Sequence, residues 1–372
     1  MRVLHVASFC GNIGDNANHA GFRPWFERLA RRPVEWTELE IREFYWKERA
    51  FDESFVELAN AYDLLVFGGG NYFELWVERS HTGTSIDIPP DHLARIRPPM
   101  FFNALGCDAG QGTSENTVRR FNGFIAQLLS SDRALVTVRN DGAQKTLRRF
   151  VPAALADQIA TIPDGGFFMP HEPPAAPHGR KQIGINLACD MPEVRFAGHP
   201  GGLEAFCREF AAVLGAVAAA DSQVDFVFFP HIYSDMKIIA AVLAQMGDRL
   251  RRTRTTVAPY LTGAAGAAHI FGLYRRCKLI VGMRFHANVC ALGMGIPAVG
   301  LNNYSQIELL YDELGSPERC LDVKQPGFAG ALQQRMLAPP DDGARVLGEV
   351  RALRAAFEPR LTAWLEHHFS AA

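Results

Sequence analysis

KLIVGMRFHANVCALGMGIPAVGLNNY, residues 278–304, is the stretch whose reading decides the fold. Leu279–Val281 is a short apolar strand, Gly282–His286 a turn, and the small-residue segment His286–Gly293 a helix. A second apolar strand, Pro297–Leu301, ends in Asn302-Asn303-Tyr304. A strand that hands over to a helix through Arg284 and His286 puts both side chains at the carboxyl edge of a parallel sheet, where open α/β sheets bind ligands. The helix start adds backbone N–H groups suited to an anion. Guanidinium, imidazole and helix N-terminus together predict a substrate carrying phosphate or carboxylate.

The same alternation extends in both directions. Toward the N-terminus, apolar strands at Arg2–Ser8, Leu64–Phe67, Met100–Ala104 and Ala134–Val138 are separated by a helix running to Ala30 and helices at Thr117–Leu129 and Gly142–Phe150. A proline-rich run at 170–177 interrupts the pattern and reads as a linker. Strands Gln182–Leu187 and Asp225–Phe229 then alternate with helices Gly202–Ala220 and Asp235–Met246. Strands buried on both faces with helices between them mean parallel, doubly wound sheets. The expected organisation is a Rossmann-like domain at 1–170, a second at 178–340, and a helical tail at 341–372 with Pro359 as a point for a kink. Two such domains are expected to face one another across a cleft.

Composition narrows the function. At 372 residues the chain exceeds one typical core. With 38 basic and 40 acidic residues it has no basic field for nucleic acid. The seven cysteines are scattered without a C-x-x-C pair, which argues against a disulfide framework or a zinc knuckle. No apolar run reaches membrane-spanning length and no signal-peptide layout opens the chain, so a cytoplasmic protein is expected.

Other strand ends carry candidate chemistry. Gly11-Asn12-Ile13-Gly14-Asp15 reads equally as a ligand loop, with Asn12 donating and Asp15 capping, or as a plain βα turn. Gly68-Gly69-Gly70 before Asn71 reads either as an anion nest with open amides or as a bulge or tight packing. Gly106 lies in a small-residue strand end, Arg139 follows an apolar strand as a potential anion clamp, and Asp164 closes the first domain. His231 and Asp235, four apart, read as an acid/base pair or as a helix-start cap; no third ligand stands near for a metal. The Ala/Gly-rich stretch Leu261–Ala268 reads as a mobile lip, and 71–99, with Trp76, His81 and Thr82–Ser85, as an acceptor-shaping segment.

Taken in order, GNIGD (11–15), DLLVFGGGNYF (63–73), FNALGCDAG (102–110), VTVRNDGAQKTL (136–147), IPDGGFF (162–168), FFPHIYSD (228–235) and GMRFHANVCALGMGIPAVGLNNY (282–304) resemble the polysaccharide pyruvyl transferase family. The resemblance implies a GT-B-like pair of Rossmann-like domains. It also implies transfer of pyruvate from phosphoenolpyruvate to sugar hydroxyls as a cyclic ketal, in polysaccharide or glycoconjugate synthesis, without cofactor or metal. It assigns the donor to Arg139, Arg284, His286, Asn302 and Tyr304, and catalysis to His286, Arg284 and His231. The other substrate contacts fall to Asn12, Asp15, Gly69, Gly70, Asn71, Gly106 and Asp164. The implied partners are phosphoenolpyruvate and a sugar or glycan, with peripheral contact to a lipid-linked glycan compatible with both. The chain departs from the family where a lysine usually follows this last tyrosine; here Ser305-Gln306-Ile307-Glu308 follow Tyr304. Two alternatives stand beside this reading: a GT-B glycosyltransferase using a nucleotide sugar, and a non-catalytic glycan- or anion-binding relative.

Overall fold

The computed structural model describes residues 1–171 and 179–369. Most of the proline-rich linker expected at 170–177 lies outside the described residues. Among the described residues, two six-stranded sheets are present, and every strand pairing is parallel.

The first sheet comprises β1 (Arg2–Ala7), β2 (Glu35–Glu40), β3 (Leu64–Gly68), β4 (Met100–Leu105), β5 (Ala134–Arg139) and β6 (Ala160–Ile162), in the order 2-1-3-4-5-6. β3 is buried along its whole length, and its alternate side chains enter different cores. Leu65 and Phe67 join Phe102, Phe121 and Phe124 on one face. Leu64 and Val66 join Phe26, Phe101 and Leu361 on the other. That is the two-residue period of a strand covered on both sides.

The second sheet comprises β7 (Lys181–Asn186), β8 (Val224–Phe228), β9 (Thr255–Val257), β10 (Cys277–Gly282), β11 (Ala298–Asn302) and β12 (Cys320–Asp322). Its order is 9-8-7-10-11-12, the Rossmann order, so the direction of winding reverses between β7 and β10. Leu279 and Val281 of β10 pack with Phe206 and Phe210, while Ile280 packs with Tyr274, Val289 and Ile13.

The chain divides into two compact units. One contains Met1–Phe9, Phe22–Gly165 and Arg351–Ala372; the other contains Cys10–Gly21 and Gly166–Val350. The helix α1 (Ile13–Ala30) and the C-terminal helix α2 (Gly343–Phe369, with Pro359 inside) therefore each contribute residues to both units.

One expectation is corrected. The stretch Leu261–Ala268 is no lip: Gly263–Tyr274 is a helix in which Gly266, Ala267, Ile270, Phe271 and Tyr274 are buried. Alanine is the best helix former, and Gly266 lacks the Cβ that would press against Leu261, so the helix packs tightly.

Candidate active site

In the second unit, the crossover point between β7 and β10 carries the chemistry. Asn186, the last residue of β7, donates through Nδ2 to the Phe229 carbonyl (2.9 Å) and accepts from the Arg284 backbone N–H (3.1 Å). It thereby ties the ends of three strands together beneath Arg284. Arg284 in turn is the N-cap of helix Phe285–Gly293.

Arg284 is not an open cation. Its Nε donates to Asp235 Oδ2 (2.9 Å), and its Nη2 donates to Asp190 Oδ1 (2.7 Å) and also to Asp235. Asp190 also receives Arg195, through Nε (3.2 Å) and Nη2 (3.1 Å). Burial alone would raise the Asp190 carboxyl, but the charges of Arg284 and Arg195 hold it at about 2. For Arg284, burial works against the charge and the pairing with Asp235 overrides it, so its guanidinium stays protonated. Arg195 also donates to Asn303 Oδ1 (3.1 Å), and its guanidinium lies 5.4 Å from the Tyr304 ring centroid. The sequence reading passed over Asp190 and Arg195. Asp190 follows strand β7 closely, so the strand-edge argument that singled out Arg284 would have found it.

The acid/base pair expected of His231 and Asp235 is not formed. Asp235 accepts the backbone N–H groups of His231 (2.9 Å) and Ile232 (3.2 Å), the capping alternative, and takes Arg284 as its ion-pair partner. His231 is fully buried and shares a hydrogen bond with the Tyr274 hydroxyl (2.8 Å). Burial, reinforced by the charges of Arg284 and His286, pushes its pKa well below the usual imidazole range. A sealed, neutral imidazole is placed for packing rather than for proton transfer at pH 7.

His286 stands against the loop that begins α1. A Cβ on Gly14 would lie 2.5 Å from the Cβ and Nδ1 of His286, so only glycine admits the imidazole there. Its Nδ1 is 4.0 Å from Asp15 Oδ1. Asn12 shapes this loop: its Oδ1 accepts the Gly14 N–H (3.0 Å) and its Nδ2 donates to Asp15 (3.3 Å). At the neighbouring strand end, Asn302 donates to Glu308 (3.2 Å).

The first unit has its own crossover point, between β1 and β3, and the triglycine lies there. Gly68 has φ +129° and its carbonyl accepts His5 Nε2 (2.6 Å). Arg23 Nη2 lies 3.2 Å from His5 Nδ1. An arginine can only donate, so Nδ1 is the acceptor and Nε2 carries the proton. His5, a lone imidazole in an apolar strand, thus fixes the first glycine; it too went unread in the sequence. The Gly69 and Gly70 backbone is buried, and the Gly70 carbonyl accepts the Gly106 N–H (2.9 Å). Asn71 donates to Asp108 (3.2 Å).

Arg139, expected as an anion clamp, is 3% exposed and engaged in the wall: its Nε donates to Asp141 (2.5 Å), and Nη1 lies 3.8 Å from Asp164. Asp164 is fully buried, and its N–H donates to Asn140 Oδ1 (3.2 Å). Among the described residues, Asp132, His367 and His368 bring ligand atoms within 4.8 Å of one another, a grouping that could hold a metal. None of the residues singled out in the sequence belongs to it.

Two parallel α/β units with strand-end sites and a C-terminal helix define a GT-B-like protein, and solved structures of UDP-sugar enzymes share the fold. S. aureus MnaA in complex with UDP matches with a TM-score of 0.57 at 8% identity, over 99% of this chain and 96% of that one. The UDP-forming α,α-trehalose-phosphate synthase of Burkholderia vietnamiensis gives 0.54 at 12% identity, over 98% of each chain. The Neisseria meningitidis UDP-GlcNAc 2-epimerase bound to UDP-GlcNAc gives 0.50 at 10%, over 95% of this chain and 100% of that one. At such identities the likeness concerns the fold alone. No curated protein matches the sequence. The polysaccharide pyruvyl transferase family matches residues 5–305, and the chain belongs to that family. It is accordingly a transferase, and the family implies a pyruvate donor and a sugar acceptor. No described helix is long and apolar enough to cross a membrane.

Proposed function

We propose that this chain transfers the pyruvate unit of phosphoenolpyruvate to two hydroxyls of a sugar, forming a cyclic ketal and releasing phosphate. The observation that carries the reading is the pairing of Arg284 and His286 at the second sheet's crossover, in a chain of the pyruvyl transferase family. Phosphoenolpyruvate presents a carboxylate and a phosphate, the anions that forked guanidiniums recognise. Arg284 and Arg195 are held in register by Asp190, a carboxylate that an incoming donor oxyanion would displace to reach the two guanidiniums. Tyr304, whose ring lies against the Arg195 guanidinium, completes the donor side within the same unit.

The chemistry balances without a redox partner. A proton added to the methylene carbon makes it methyl and leaves an oxocarbenium-like centre at C2. One sugar hydroxyl adds there, the C2–O bond to phosphate breaks, and the second hydroxyl closes the ring. Of the two hydroxyl protons, one replaces the proton consumed at carbon and the other leaves with phosphate. His286, set against Gly14 and near Asp15, is the group proposed to move protons. Asn12 and Asp15 shape the loop beside it.

Phosphate release from phosphoenolpyruvate in the presence of candidate glycans tests the reading. Arg284→Lys should raise the KM for phosphoenolpyruvate, since a point charge cannot replace the fork. His286→Ala should chiefly lower kcat, by roughly 10²–10⁴-fold. Thermal stabilisation by UDP, with none by phosphoenolpyruvate, would replace this reading with a nucleotide-sugar transferase.

A further inference from the structure

The first unit holds a pocket of about 290 Å³, lined by none of the strand-end residues above but by part of the 71–99 segment expected to shape an acceptor. That volume is at the small end of the range for ligand sites, room for about one sugar ring. Its walls come from the segment after β2 and from 77–92, and they include Tyr45, Lys47, Arg79, His81, Ser85 and Asp87.

Charge in the pocket is unevenly engaged. Asp87 accepts from the His81 backbone N–H (2.6 Å) and lies 2.8 Å from its Nδ1. Asp52 caps the helix Glu53–Ala59, and Arg49 pairs with Glu43. Among the described residues, Lys47 and Arg79 have no ion pair and no side-chain hydrogen bond. Lys47 is also held at φ +62°, the left-handed region that side-chain-bearing residues seldom adopt. Strain of this kind gathers at ligand sites. Two unengaged cations in a small pocket call for an anion.

The remaining surface suits a sugar. Tyr45, in the lining, is 48% exposed, a large ring open to a ligand face. The Tyr45 hydroxyl donates to Glu74 Oε2 (2.6 Å), and Ser85 Oγ donates to the same oxygen. The Tyr45 hydroxyl also lies within hydrogen-bond distance of Ser85 Oγ, so the two hydroxyls form one cluster with Glu74 and place oxygen acceptors for sugar O–H groups in the pocket lining.

We propose that this pocket is the acceptor subsite and that it selects an anionic sugar, its uronate carboxylate or phosphate ester paired with Lys47 and Arg79 and its ring against Tyr45. The assignment rests on the pyruvyl-transfer reading for the word acceptor, but the binding preference does not depend on that reading. Calorimetric titration of the full chain with methyl glucuronide, glucose 6-phosphate and methyl glucoside, without donor, tests it. At least one anionic probe should bind tenfold or more tighter than the neutral one, and which one does so identifies carboxylate or phosphate as the source. Lys47→Met and Arg79→Met should each abolish that preference while leaving Tm unchanged. Equal binding of all three probes, or a preference that survives both substitutions, overturns the proposal. Phosphate release measured on the same samples separates the two claims. Selective binding without release from phosphoenolpyruvate sinks the chemistry and keeps the pocket; release with undiminished use of acceptors in Lys47→Met does the reverse.

Discussion

Asp190 holds two arginines, and its depressed pKa makes that arrangement visible in acid. A carboxyl at about 2 when folded, against 3.8 ordinarily, contributes stability that is fully present above pH 4. The contribution is lost as pH falls through 2, and its size is about 2 kcal/mol. Urea midpoints of wild type and Asp190→Asn should therefore differ at pH 6 and converge between pH 4 and 2; a constant gap would show that the ion pairs do not carry the difference. Gly14 offers a second test. Its φ is ordinary, so Gly14→Ala is a purely steric change, aimed at the imbedded imidazole of His286. It should lower kcat about as much as removing that imidazole, roughly 10²–10⁴-fold, with little change in far-UV circular dichroism. Near-normal turnover in Gly14→Ala would mean that His286 can move without consequence.

At the scale of elements, the buried strands were legible because each is a mostly apolar run, with at most an isolated polar residue, bounded by turn or helix signals. β1, β3, β4, β5, β7, β8, β10 and β11 all follow runs visible in the sequence. β2 was not legible: EWTELE puts acidic side chains on an exposed edge, and tertiary pairing with β1 overrides that composition. The three-residue strands β6, β9 and β12 are too short to show a period. Of the site, the strand-end positions of Arg284, His286 and Arg139 could be read, but not which carboxylates pair with them, since the pairing of Arg284 with Asp190 and Asp235 and of Arg139 with Asp141 and Asp164 is made only in the folded chain. Gly68 tests the first sheet's rim. It combines φ +129° with a Cβ position that would clash with the Asn103 carbonyl on β4. Gly68→Ala should lower Tm by several degrees or prevent folding, whereas the exposed Gly112→Ala, with open space around its Cβ, serves as the milder control for positive φ alone.

For the whole molecule, the unit boundaries do not coincide with stretches of sequence. The apolar face of the first sheet that includes Phe26, Leu64 and Phe101 is completed by Phe357, Leu361 and Leu365 from the far end of the chain. A fragment ending at residue 171 should therefore expose that face, bind the dye ANS and aggregate. Adding residues 351–369 as a separate helix should restore solubility, and a well-behaved monomeric fragment without it would contradict the packing. α1 divides likewise, Cys10–Gly21 clustering with one unit and Phe22 onward with the other. Recombination within this family is constrained by that interleaving. A crossover at the linker alone would give a chimaera with a borrowed first helix and a mismatched last one, so a viable graft must carry residues 10–21 and 351–369 with the partners they evolved beside.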